Sequence, residues 1–165
     1  MKPMGPIPSG FGCEDGMLLI GGCGAESLVD EAGDTPLFVY DMALVEAKVQ
    51  RFRGAMPAGI DLHYAIKANP FAPLLSRMAV QVDGFDIASG GELDMALEAG
   101  MAPDRISFAG PGKRTDELTA AIFAGVTINL ESEGEARRAI AAGEAIGKQP
   151  RLAIRVNPDF DLKGS

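Results

Sequence analysis

The chain has 165 residues, 47% of them hydrophobic and 23% charged, enough for one domain with a real core. Its net charge of −8 and pI near 4.6 argue against nucleic acid and anionic membranes as partners. With one histidine and only Cys13 and Cys23, no metal site is expected, the thiols read as free, and the location reads as cytoplasmic.

Residues 1–35 are rich in Gly and Pro, lack helical period and hold one short candidate strand, Met17–Ile20, too short to span a bilayer. They read as an N-terminal extension. From residue 36 the chain alternates. Leu37–Tyr40 reads as a strand, and Asp41 as the N-cap of a helix to about Met56. Strand Ile60–Lys67 follows, then a helix near Pro73–Val80. Gly84–Ala88 is a strand, with Ser89 capping a helix to about Ala99. Strands Arg105–Ala109, Val126–Leu130 and Arg151–Val156 alternate with helices Thr115–Ala124 and Glu133–Ile146.

Short loops and glycines at helix ends predict a parallel sheet with crossover helices. No Gly-x-Gly-x-x-Gly follows the first strand, which weakens a dinucleotide-binding sheet. Polar residues at the ends of several strands favour a (β/α)8 barrel. Six strands in a chain that stops in a loop after the last predict part of such a barrel over residues 36–165.

Lys67 ends an otherwise apolar strand, where burial would lower its pKa and leave an amine able to form a Schiff base. A snorkelling surface lysine is the plain alternative. Strand periodicity puts His63, Ala65 and Lys67 on one face and Leu62, Tyr64 and Ile66 on the other. Ala65, one step below the lysine, leaves room for a flat ring. Asp86 is expected at the same mouth, where an anion favours a charged amine nearby; helping the next helix start is the alternative. Glu92 makes a Ser-x-x-Glu box with Ser89, a complete explanation by capping. Arg155, a lone charge in an apolar strand, demands a buried partner. His63 reads as a hydrogen-bonded core residue, and Gly110-Pro-Gly-Lys113 as a shaped loop more than a phosphate cradle.

Four runs together resemble one family. His63-Tyr-Ala-Ile-Lys-Ala-Asn-Pro70 resembles the lysine motif of the ornithine, arginine and diaminopimelate decarboxylases of alanine-racemase-like fold, which use pyridoxal phosphate (PLP). Gly84-Phe-Asp-Ile-Ala-Ser-Gly-Gly-Glu-Leu93, Ile106-Ser-Phe-Ala-Gly-Pro-Gly-Lys-Arg114 and Leu152-Ala-Ile-Arg-Val-Asn-Pro158 resemble its following blocks. The loop after Phe108 and the run after Arg155 look most like the branch associated with bacterial exosortase and exopolysaccharide gene clusters.

The resemblance implies that Lys67 carries PLP, with Ala65, Asp86 and Arg155 around the cofactor and Glu92 near it. It implies a small amino-acid substrate of the ornithine, lysine, arginine or diaminopimelate type, a second β-domain, and homodimers with active sites at the subunit interface. The family's ring-stacking histidine, phosphate loop, pyridinium-binding glutamate and second-domain cysteine and aspartate have no counterpart in these residues. The isolated chain is therefore expected to be inactive. A same-fold racemase or PLP carrier, and a non-catalytic truncated paralogue, are the rival readings.

Overall fold

A computed structural model describes residues 10–156 and 159. The chain divides into two units, Met1–Pro57 and Ala58–Ser165. The expected Asn157-Pro158 loop lies outside the described residues.

The first unit departs from the sequence reading. Strands β1 (Gly12–Glu14), β2 (Met17–Ile20) and β3 (Cys23–Gly24) form an antiparallel three-stranded sheet, where one strand was expected. Asp15 and Gly16, both at positive φ, make the first turn. Helix α1 (Ala25–Ala32) follows, in a region read as lacking helical period. It is short and closes on Gly33, left-handed at φ 79°, which donates its N–H to the Val29 carbonyl. Leu37–Tyr40 is not a strand: no ladder among the described residues receives it, and apolar composition alone makes no strand without one. Asp41 caps helix α2 (Met42–Ala55) as expected, its carboxylate accepting the Ala43 and Leu44 N–H groups.

The second unit carries the alternating pattern. Strands β4 (His63–Ala65), β5 (Gly84–Ile87), β6 (Ile106–Phe108), β7 (Thr127–Leu130) and β8 (Arg151–Ile154) lie side by side in chain order. Every neighbouring pair is parallel. Helices α3 (Ala72–Met78), α4 (Gly90–Glu98), α5 (Thr115–Ala124) and α6 (Glu133–Ile146) make the crossovers. This is the α/β architecture of a partial (β/α)8 barrel, with five strands where six were counted from sequence.

One face of the sheet is apolar and covered. Phe85, Ile87, Ile106, Phe108 and Ile128 are fully buried there with Leu93, Leu118 and Ala139 from the helices. Tyr64 joins them, its ring edge-on to Phe85 at 6.1 Å. The strands approach so closely at Gly84 that a Cβ would sit 2.2 Å from the Arg105 carbonyl oxygen. The opposite face carries Ala65, Asp86, Ser107, Thr127 and Asn129, one step out of phase with the core residues.

Candidate active site at the C-terminal strand ends

Pairing of β4 with β5 ends at Ala65, which lies opposite Asp86. The backbone then tightens into a single 3-10 turn, Ile66–Ala68, closed by the Asn69 N–H on the Ile66 carbonyl. Ile66 is fully buried and pins the turn. Asn69 shapes the exit, its side-chain oxygen accepting the Phe71 N–H at 3.1 Å. Lys67 sits in this turn rather than in the strand, and it is exposed. The expectation of a buried strand-end lysine is corrected: the ladder stops two residues earlier, and burial falls on Ile66. The expected faces of Tyr64 and Ile66 hold. His63 is exposed at the start of β4, its ring against Gly84, and is not a core residue.

Lys67 and Asp86 have no hydrogen-bond or ion-pair partner among the described residues. They stand at the C-terminal ends of neighbouring strands, where Ala65, the residue paired with Asp86, contributes only a methyl. Beside Asp86 the open face continues as Ser107 and Asn129, joined by a hydrogen bond from Asn129 Nδ2 to Ser107 Oγ at 2.7 Å.

Arg155 lies one residue beyond β8, with its side chain 57% exposed. The expected buried partner is replaced by Glu131, whose Oε1 accepts from Arg155 Nη1 at 3.2 Å. The same oxygen accepts the Gly110 N–H at 3.0 Å. That N–H first, and the Arg155 guanidinium after it, hold the Glu131 carboxyl below the ordinary carboxylate range.

Glu92 behaves as a capping residue. Its Oε2 accepts the Ala88 N–H at 2.7 Å while Ser89 Oγ accepts the Glu92 N–H at 3.2 Å. The sequence reading missed that the same device recurs at Ser132 and Glu135. Glu135 Oε2 accepts the Glu131 N–H at 2.9 Å, and Ser132 Oγ accepts the Glu135 N–H at 3.1 Å. The repeated Ser-x-x-Glu spacing was the available signal. Glu117 links two loops, accepting from Gly90 and Arg114 N–H groups, which lower its pKa.

Among the described residues the buried lysine is Lys113, whose side chain is 0% exposed. Its ammonium lies 3.2 Å from Glu135 Oε1 and donates to the Gly110 and Asn129 carbonyls at 2.7 and 2.9 Å. It also stands over the Phe108 ring, 5.6 Å from the centroid. So engaged, Lys113 offers nothing to a phosphate, and the Gly110–Gly112 loop is a structural clasp.

The donor set fits the aldehyde end of PLP. An accessible, unpaired amine just past the end of β4, an unpaired carboxylate on the adjacent strand and a small side chain paired with it lie at the strand ends where barrels place their chemistry. The described residues provide no corresponding anchor for the phosphate.

The model of the pyridoxal-binding domain of pyridoxal-dependent decarboxylases matches residues 42–165. A diaminopimelate decarboxylase of Aquifex aeolicus is 40% identical over 151 residues, covering 90% of this chain and 35% of that protein. A solved structure from Aquifex aeolicus superposes with a TM-score of 0.84 at 37% identity, covering 91% of this chain and 37% of the other. Diaminopimelate decarboxylase from Helicobacter pylori, solved with L-lysine, gives a TM-score of 0.76 at 31% identity, over 84% of this chain and 36% of the other. The chain thus spans a little over a third of the length of these relatives.

Proposed function

Since the chain belongs to the family of the pyridoxal-binding domain of pyridoxal-dependent decarboxylases, we propose that it is the lysine-bearing part of an enzyme that removes CO2 from an amino acid. The observation that carries this reading is the placement of Lys67 just past the last paired residue of β4, beside the strand that presents Asp86. Relatives named diaminopimelate decarboxylase favour diaminopimelate over ornithine, lysine or arginine as the substrate.

Lys67 would hold the cofactor through its amine, and Ala65 would leave room for the ring. The Asp86 carboxylate favours the protonated form of a nitrogen near it. Beyond the Nη1 donor held by Glu131, Arg155 offers guanidinium donors at the same end of the sheet, where its exposure lets them reach a ligand. Glu92 holds the Ala88 N–H and so fixes the loop that follows Asp86. When bound, PLP supplies the electron sink that accepts the pair left by departing CO2.

The proposed organisation is an extension over residues 1–35 and a pyridoxal-binding domain over 36–165. The active form would combine this domain with further barrel strands and a β-domain, act on a small amino acid, pair with a second copy, and work in the cytoplasm. No helix among the described residues is long and apolar enough to cross a membrane.

Borohydride reduction after PLP loading, followed by peptide mapping of the complete protein, should place the pyridoxyl group on Lys67. A label on another lysine instead, or none, would overturn the reading. CO2 release from the four amino acids by the complete protein then ranks the substrates, with diaminopimelate expected first.

A further inference from the structure

One carboxylate in the clasp over β6, β7 and β8 has no part in the chemistry described above. Glu131 Oε1 takes two donors at once, the Gly110 N–H and Arg155 Nη1. Everything around it is fixed. Its own backbone N–H is held by Glu135 Oε2. The Gly110 carbonyl is held by Lys113 Nζ, whose other partners are Glu135 and the Asn129 carbonyl. Gly110 stands at φ 116°, and a Cβ there would lie 3.0 Å from the Ala88 carbonyl oxygen, so glycine is what lets its N–H take this position.

We infer that Glu131 is a positioning residue: held by the Gly110 N–H, its carboxylate selects the arrangement in which Arg155 presents its guanidinium at the open end of the sheet. This rests on the reading of Arg155 as a residue that touches the cofactor.

Arg155 follows the end of β8, is more than half exposed, and has no other side-chain partner among the described residues. Left alone, such a side chain samples many rotamers. An exposed arginine–carboxylate pair adds little stability, so this one is poorly explained as a structural brace. A carboxylate whose own position is set by a buried lysine pair explains it better. The anchoring runs from the core outward: Lys113 and Glu135, then Glu131, then Arg155. That is the order expected where a ligand-facing group takes its geometry from a supporting layer. The depressed pKa of Glu131 keeps it anionic throughout the neutral range.

Nitrogen-15 NMR of the 165-residue chain tests the inference. In the unsubstituted chain the Arg155 Nε–H resonance should titrate with Glu131 in the acid range. Its guanidinium rotation should be slower than that of Arg77, which has no side-chain partner among the described residues. Glu131→Gln keeps an acceptor for Gly110 but removes the charge. It should abolish the titration and bring Arg155 to the mobility of Arg77, while the Gly110 amide stays protected. Glu131→Asp should restore part of the order. Unchanged Arg155 mobility in Glu131→Gln would overturn the inference.

A second readout separates it from the cofactor reading. In the complete protein, borohydride trapping at subsaturating PLP should show about ten-fold weaker PLP binding in Glu131→Gln, measured by labelling at Lys67, the lower end for a lost hydrogen bond to a charged group. Loss of Arg155 order with unchanged labelling would support the positioning role and remove Arg155 from the cofactor site. Reduced labelling with Arg155 order intact would overturn the positioning role and leave the cofactor site standing.

Discussion

Ile66 and Lys67 are adjacent, yet one is fully buried and the other exposed. This division lets the Lys67 side chain be replaced without disturbing the fold. Lys67→Ala should change stability by no more than about 0.5 kcal/mol, as for an exposed side chain without partners, while abolishing pyridoxyl labelling. Denaturant melts beside peptide maps check both halves; a large destabilisation would mean that the lysine is structural. Acid tolerance is set by Glu131 and Glu117, both held below the ordinary glutamate value of 4.5 mainly by backbone N–H groups. Above that value both folded and unfolded chains carry these carboxylates ionised, and their contribution is whole. Below it the unfolded chain takes up protons first, so stability is lost as pH falls through the lower folded values. Unfolding followed from pH 6 to 3 should therefore steepen below about 4.5, and Glu131→Gln together with Glu117→Gln should flatten that limb. The motif around Lys67 was readable from residue order alone. The exposure of Lys67, and Glu131 as the partner of Arg155, were not, because both depend on where a ladder stops and which loop meets which.

Two ion pairs in neighbouring positions differ in what they do for their elements. Arg114 and Asp116 pair at 3.0 Å with side chains 72% and 70% exposed, whereas Lys113 and Glu135 are 0% and 2% exposed. Removing one member of a buried pair leaves an uncompensated charge, so Lys113→Met should cost about 3–5 kcal/mol. Arg114→Ala should cost far less, as expected for an exposed, solvent-screened pair. Chemical denaturation of the two variants measures the contrast, and near-equal costs would show the buried pair to be relaxed by water. The periodic helices, the capping by Asp41 and Ser89, and the parallel order were all visible in the sequence, because each follows from spacing within a few residues. Leu37–Tyr40 misled because apolar composition does not supply a neighbour. The sheet and helix of residues 12–32 were hidden by glycines that serve as turn and cap residues rather than as breakers. The buried Lys113 was hidden because its four contacts come from three separate segments.

At the scale of the molecule, β4 and β8 are the two edge strands of the second unit's sheet, each paired on one side only among the described residues. The alternation in β8 puts Leu152 and Ile154 on the side that Ile128 and Leu130 occupy in β7, yet Ile154 is 78% exposed. An apolar edge of this kind recruits other chains. The isolated 165 residues should sediment as oligomers, and Ile154→Lys should shift them toward monomer with little change in melting; a monomeric parent would refute this. The same fragment supplied with PLP should release CO2 from diaminopimelate far below an ordinary enzymatic rate of about 1 s⁻¹, because the described residues hold the amine and not the phosphate. Turnover at that rate would show that these residues suffice. The strict agreement between chain order and strand order has a kinetic consequence. Each strand–helix unit of the sheet docks on the one made just before it, so no contact waits for a distant segment to arrive. Pairing only successive units keeps each loop closure as short as a parallel sheet allows, and it lets the sheet grow strand by strand as synthesis proceeds. On that path β8 is the last of the described strands to be added, with β7 already in place to receive it.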